Sequence, residues 1–140
     1  MSALLEVEDL RVTFPTPTGP FEAVRGVSFT LGRERLGIVG ESGSGKSLTG
    51  RSVMGLLPAN ARLSARRLAF DGVDLLGADA SALRRLRGRR LSLVLQDPKY
   101  SLNPVMRIGE QIAEAILVHR GGSAREARRR ALEMLEAVRI

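Results

Sequence analysis

Apolar residues recur at every second position near the N-terminus: Leu5 and Val7, then Leu10, Val12 and Phe14. This alternation predicts a strand over 4–14. Residues 15–20 hold three prolines and a glycine and predict a turn. A second strand follows over 21–31, with Val24, Val27 and Phe29 as core candidates, and the polar stretch 32–35 predicts another turn. Leu36-Gly37-Ile38-Val39 is a short, unbroken apolar run ending at Gly40, the pattern of a fully buried parallel strand.

The period then changes. Leu48, Val53, Met54 and Leu57 predict a helix over 47–57, weakened at Gly50 and Gly55 and ended by Pro58. Residues 66–70 and 73–76 flank Asp71-Gly72 and predict two strands joined by a turn. Residues 81–89 predict a short basic helix, and 91–95 a second apolar strand that runs into Gln96-Asp97-Pro98. A helix is predicted over 105–119, with Ile108, Ile112, Ile116 and Leu117 on one side, broken by Gly121-Gly122. Ser123 and Glu126 have the spacing of a capping box. They open a last helix carrying Leu132, Leu135 and Val138, with no closing glycine, asparagine or proline before Ile140. There is no internal repeat.

One segment carries chemistry on its own. Gly40-Glu41-Ser42-Gly43-Ser44-Gly45-Lys46-Ser47 has a glycine, four free positions, then Gly-Lys-Ser, between the predicted buried strand and the predicted helix. Glycines let the backbone turn through positive φ and bring its amides to an anion. The helix that follows points its free N–H groups at the same place. Lys46 adds a full charge for the β- and γ-phosphates, and the Ser47 hydroxyl is placed to ligate Mg²⁺. The expected ligand is a nucleotide, ATP, with its metal.

Composition narrows the remaining choices. The chain of 140 residues is enough for one modest domain, and an apolar fraction of 44% allows a core. With no cysteine, disulfides, thiolate metal sites and a cysteine nucleophile are excluded. The net charge is +7, and apart from Lys46 and Lys99 every basic residue other than His119 is arginine. Such a balance suits nucleic acid, acidic headgroups or nucleotide phosphates, or else a solvated arginine-rich surface. The run Arg84-Arg85-Leu86-Arg87-Gly88-Arg89-Arg90 has no interleaved aromatic, so a solvated helix face is expected rather than a stacking platform. No apolar run approaches the ~20 residues of a membrane span, and no signal peptide is evident, so a soluble chain able to dock on a membrane protein is expected. Taken alone, Gln96 is either a loop residue or a ligand for Mg²⁺ or water. Phe14 is either a core aromatic or a surface for adenine, and His119 reads as a surface histidine.

The wider motif set is more specific. Residues 37–47, Gly-Ile-Val-Gly-Glu-Ser-Gly-Ser-Gly-Lys-Ser, resemble the Walker A segment of ABC transporter ATPases. Gln96-Asp97-Pro98, then Ser101-Leu102-Asn103-Pro104 and Ile108-Gly109-Glu110-Gln111-Ile112, resemble the Q-loop region of the dipeptide/oligopeptide importer branch. The resemblance runs from about Leu4 to the last residue. It implies an α/β fold, the P-loop NTPase of ABC type, present in part. Residues 1–35 would be strands of the antiparallel β subdomain, 36–100 the Walker A to Q-loop portion of the RecA-like core, and 101–140 the start of the helical subdomain. It implies that the segment from Gly40 through Ser47 to Leu48 binds ATP, that Lys46 and Gln96 serve catalysis, that Ser47 and Gln96 ligate Mg²⁺, and that Phe14 stacks on adenine. The implied partners are transmembrane permease subunits, a second ATP-binding subunit, alike or different, and indirectly a solute-binding protein. The implied location is peripheral, on the cytoplasmic face of the inner membrane.

Three departures matter. Leu95 stands where the family commonly has phenylalanine, and Arg33-Glu34-Arg35 replaces the usual glycine-glutamate turn. More important, the signature motif, the Walker B aspartate, the catalytic glutamate and the switch histidine of the family have no counterpart in these residues. Asp71, Asp74 and Asp79 lie in polar turns, and Glu133 and Glu136 on the last helix. The expectation is an ATPase by family whose 140 residues bind nucleotide without turnover, as part of a longer subunit, marginally stable and with bare apolar segments near 91–95. The function expected is that of an ATP-binding subunit of an importer for peptides or similar small solutes. The alternatives are a non-transport ATPase acting on nucleic acid, which Ser101-Leu102-Asn103-Pro104 argues against, and a non-catalytic nucleotide-binding product.

Overall fold

The computed structural model describes residues 3–95 and 101–140. The chain divides into two compact units, 1–84 and 85–140.

The first unit is built on a long ribbon of β1 (Leu5–Thr16) and β2 (Gly19–Leu31), antiparallel, closed at its tip between Thr16 and Gly19. On its other edge β1 pairs with β3 (Arg62–Ser64) and β4 (Arg67–Phe70), and β4 pairs with β5 (Val73–Asp74). The sheet order is β2-β1-β4-β5, with β3 also on β1, and every pairing is antiparallel. Asp71 and Gly72 join β4 to β5 with φ of 49° and 78°, the two positive values that a two-residue hairpin turn of this handedness requires.

The apolar pattern of β1 slips phase between Val7 and Leu10, yet Leu5, Val7, Leu10 and Val12 are all buried. A bulge reconciles the two. Val7 pairs with Phe29 and Leu10 with Val27, so β1 advances one residue more than β2. The extra residue turns at Asp9, φ 50°, whose N–H donates to Ser28 Oγ at 2.9 Å. Arg11 donates to its carboxylate through Nε and the terminal nitrogen, at 3.1 and 2.9 Å, and holds that carboxyl below the usual range.

The helix α1 (Lys46–Val53) packs on this sheet, burying Thr49, Ser52 and Val53, with Met54 buried just beyond its end. Both buried hydroxyls are satisfied within the helix region: Thr49 donates to the Gly45 carbonyl and Ser52 to that of Leu48. The helix stops earlier than its apolar spacing predicts. Gly55 takes φ 61°, its N–H returns to the Ser52 carbonyl, and the Leu56 N–H reaches that of Arg51. That is a glycine C-cap, so Gly55 ends the helix instead of weakening its interior.

Neither the parallel strand predicted at 36–39 nor the apolar strand predicted at 91–95 is formed. Residues 35–40 have no regular structure, and Ile38 and Val39 are 48% and 97% exposed. In 91–95, Leu91 makes a single parallel bridge to Arg87, and Val94 is 93% exposed. A strand exists only through its ladder, and neither segment has a ladder among the described residues. The other short elements are α2 (Ala80–Leu86), with the Asp79 carboxylate accepting from the Ala82 N–H at 2.6 Å, and the unpredicted β3.

The second unit contains a hairpin of α3 (Ile108–Arg120) and α4 (Ala124–Ala137). Its seam is Ala113, Ile116, Ala127 and Ala131, with Ile112 and Leu117 against it. The predicted Leu132 and Val138 face water instead, at 58% and 64% exposure, because α4 turns its alanines to α3. Ser123 caps α4, accepting from the Glu126 N–H at 3.2 Å. The capping box is only half made. The Glu126 carboxylate is engaged by Arg129 and Arg130, whose hydrogen bonds lower its pKa from 4.5 to about 2.

Two outcomes are expected. Leu10→Ala should cost about 2–5 kcal/mol, seen as a lower urea midpoint with an unchanged slope. Because the Glu126 pKa is depressed on folding, the stabilisation it contributes is complete above pH 4.5 and lost as the pH falls toward 2. Far-ultraviolet circular dichroism should show a small acid-induced loss of helix over that window, diminished in Glu126→Gln.

Candidate phosphate-binding site

The loop 40–47 connects the exposed segment 35–40 to the start of α1, and its conformation depends on glycine at positions 43 and 45. Gly43 and Gly45 have φ of 80° and 90°, which L side chains rarely adopt. A Cβ on Gly40 would lie 2.7 Å from Ser44 Oγ, and one on Gly45 only 2.8 Å from the Ala23 carbonyl oxygen and 3.0 Å from a Val24 methyl. The loop therefore rests directly on β2. Sequence reasoning did not find Ala23 and Val24 as part of the site. The signal available was the buried alternation of β2, which says that Val24 faces inward but not what it meets.

Lys46 is folded over the loop. Its Nζ donates to the Gly40 and Glu41 carbonyls, each at 2.6 Å, with Ser44 Oγ at 3.3 Å. The Ser44 N–H closes a turn onto the Glu41 carbonyl at 3.3 Å. Gly45 caps α1 with no side-chain acceptor, and the first turn holds no acidic residue. The first amides of α1 thus lack both a side-chain cap and a competing carboxylate, which leaves the helix N-terminus suited to an outside anion. Ser42, Ser44 and Ser47 are exposed around it, while Leu48 is half-buried in the helix. A cavity of about 380 Å³ adjoins Gly43 and Ser44 and is walled by β2.

The other expected site residues fall as follows. Phe14 is half-buried near the tip of the ribbon, paired across the strands with Phe21. Gln96 lies outside the described residues, so its expected contact with metal has no structural counterpart here. His119, expected at the surface, is half-buried: its ring occupies the space where a Cβ on Gly88 would be, and its carbonyl accepts from Arg89 Nε at 2.7 Å. Among the described residues no group of three or more histidine, aspartate or glutamate side chains is arranged to hold a metal ion. A metal at this loop would have to be held together with phosphate oxygens, as Mg²⁺ commonly is.

The motif that follows the expected Q-loop has a clear local use. Gln111 of α3 accepts from the Asn103 N–H at 3.0 Å and donates to the Asn103 and Met106 carbonyls at 2.9 and 3.1 Å. Asn103 in turn accepts from the Val105 N–H at 3.1 Å. The two amides of the Asn-Pro and Gly-Glu-Gln segments fasten the approach to α3 onto its first turn.

Comparison with known proteins gives the family. The family described as ABC transporter matches residues 24–140. The oligopeptide transport ATP-binding protein OppD of Salmonella typhimurium (strain LT2) is 48% identical over 140 residues, covering 99% of this chain and 42% of that protein. The dipeptide transport ATP-binding protein DppD of Lactococcus lactis subsp. cremoris (strain MG1363) is 46% identical over 139 residues, covering 98% of this chain and 40% of that protein. OppD of Bacillus subtilis (strain 168) is 42% identical over 142 residues, covering 100% and 40%. The chain thus spans about two-fifths of the length of these relatives. With a glycine loop seated on a strand, a lysine folded over it and an uncapped helix behind it, and with the family match extending over most of its length, this chain belongs to the ABC transporter ATP-binding family.

Proposed function

We propose that this chain is the nucleotide-binding portion of the ATP-binding subunit of an importer for peptides or similar small solutes. The observation that carries the proposal is the loop itself: Lys46 held at the centre of the 40–47 turn, beside helix amides that no side chain caps. The peptide reading rests on the named functions of the relatives and on the segments 101–104 and 108–112. In this reading the backbone of 40–45 and the amides of α1 receive the phosphates, Lys46 neutralises them, and Ser47 with Gln96 would hold Mg²⁺. Mg²⁺ would supply charge neutralisation across the phosphate oxygens. Phe14 takes the base-stacking role that the resemblance assigns to it.

Turnover needs an oriented water as well as bound phosphates. None of Asp71, Asp74, Asp79, Glu133 and Glu136 has the context of a Walker B aspartate or a catalytic glutamate, so binding without turnover is the activity proposed for these residues. Hydrolysis in the whole subunit would need those groups and a second ATP-binding subunit. Among the described residues no helix is long and apolar enough to cross a membrane. A permease subunit would hold the protein at the cytoplasmic face of the inner membrane. The hairpin unit offers a surface for it: Val105, Ile108 and Leu132 are 88%, 45% and 58% exposed.

Equilibrium titration of the chain with Mg-ATP should show saturable binding. Lys46→Ala should weaken it about 10–100-fold, the range expected for losing a charge-assisted contact. Gly45→Ala should weaken it as well, because its Cβ has no room against Ala23 and the residue needs φ 90°. Phosphate release by the same preparation should stay at background. Multiple turnovers that vanish in Lys46→Ala would overturn the proposal of binding without hydrolysis.

A further inference from the structure

The arginine run 84–90 and His119 have no part in the phosphate site, yet they meet each other. The turn that follows α2 closes on the Leu86 carbonyl, which accepts from the Arg90 and Leu91 N–H groups at 2.9 and 3.0 Å. Within it the Gly88 N–H donates to the Leu91 carbonyl at 2.8 Å. Gly88 takes φ 78°, in the left-handed region. The His119 ring lies over this glycine: a Cβ there would overlap Nε2 and come within 2.6 Å of Cδ2 and Cε1. Arg89, the next residue, donates through Nε to the His119 carbonyl at 2.7 Å. That carbonyl is in the last turn of α3, among those that a helix leaves without an N–H of its own, and a cation is favoured at that end. One residue of α3 is thus held twice by the same turn, through its ring on Gly88 and its carbonyl on Arg89.

The opposite end of α3 is fastened too, where Gln111 bonds Asn103 and Met106. The helix is about 20 Å long. Between its two attachments runs the stretch 92–102, which contains Gln96. Both ends of that stretch are tied to one rigid element. Resting on the reading of Gln96 as a ligand of Mg²⁺, we infer that α3 is a splint for this stretch and that His119 is a positioning residue. Latched to Gly88 and Arg89, it fixes where the chain departs toward Gln96. The latch needs glycine at 88, because a side chain would displace the ring. It needs a cationic donor at 89, because the acceptor is a terminal helix carbonyl. Arg89 is therefore committed to the protein's own backbone, whatever the rest of the arginine run faces.

The latch and its consequence are read separately in the 140-residue chain. With no ligand present, His119→Ala should speed hydrogen exchange of the Gly88 and Leu91 amides about tenfold and leave the Thr49 amide of α1 unchanged. Gly88→Ala should lower the urea midpoint. His119→Ala should then cost less in Gly88→Ala than in the parent chain, because the ring is already displaced. The consequence is the ratio of ATP affinity in Mg²⁺ to that in EDTA. His119→Ala should lower this ratio about tenfold, the effect of losing a residue that orients a metal ligand, and should lower it no further in Gln96→Ala. Arg89→Ala should lower the ratio as well, while Arg89→Lys, which keeps a donor, should retain it. These two variants carry the test if removal of the ring unfolds the hairpin. Unaltered exchange at Gly88 and Leu91 in His119→Ala would overturn the latch. Faster exchange with an unchanged ratio would overturn the positioning role. If Gln96→Ala itself leaves the ratio unchanged, the reading of Gln96 as a metal ligand fails and the positioning role fails with it, whereas the latch is decided by exchange alone.

Discussion

The contact of Gly45 with β2 is the constraint on which the rest of the site depends. The would-be Cβ position lies 2.8 Å from the Ala23 carbonyl oxygen and 3.0 Å from Val24, so the loop backbone lies against the strand with no side chain between. Gly45 is also the residue from which α1 starts. An eight-residue helix has little stability in water by itself, because nucleation costs more than so few hydrogen bonds return. Burial of Thr49, Ser52 and Val53 against the sheet supplies what the helix lacks. The same contact thus seats the loop, begins the helix and aims its amides. A substitution that lifted Gly45 from β2 would disturb all three together.

That arrangement requires β1 and β2 to present a continuous apolar face, and the face depends on the bulge at Asp9. Without an extra residue, Leu5 and Val7 would point to one side of the sheet and Leu10 and Val12 to the other. A non-glycine residue at φ 50° is costly. Asp9 offsets this locally through its N–H bond to Ser28 and its carboxylate bonds from Arg11. Gly26 answers it on β2: a Cβ there would approach Asp9 Oδ1 to 2.8 Å. Bulge and opposing glycine are one device, and together they keep Val12 and Val24 in the core that the loop rests upon.

Much of this was legible before any coordinates. The hairpin residues, the Asp71-Gly72 turn, the glycine loop and the Ser123 cap all depend on local chemistry, which a sequence states directly. The phase slip of β1, Leu5 and Val7 against Leu10 and Val12, reads in the sequence as plain alternation, and only the pairing with β2 shows it to be a bulge. What misled were long-range conditions. The segments 36–39 and 91–95 have the apolar content of buried strands, yet content cannot provide the neighbour whose amides complete a ladder. In α4 the leucines marked a helix correctly but not its buried side. A close helix pair prefers Ala127 and Ala131 at the seam, where small side chains let the two backbones approach. The proximity of β2 to Gly43 and Ser44 was not legible either, because it arises only when the strand and the loop meet.

The identity of residue 46 follows from the same geometry. The basic residues of this chain are overwhelmingly arginine, yet lysine stands at the centre of the loop. An ammonium carries three donors on one small atom, whereas a guanidinium spreads five over a rigid plane. Here two donors are committed at 2.6 Å to the Gly40 and Glu41 carbonyls, and Ser44 Oγ lies at a weaker 3.3 Å. The two short bonds place the charge without filling its coordination. In the proposed reading a phosphate oxygen would take over the long one, since a charged acceptor forms a shorter and stronger bond than a hydroxyl. On that reading the loop would need little reorganisation to receive its ligand, because the turned backbone and the two short lysine bonds are already in place. A planar fork has no such arrangement between two carbonyls of the same tight turn. The demand for a compact, multiply donating cation therefore prevails at this position over the arginine bias of the rest of the chain.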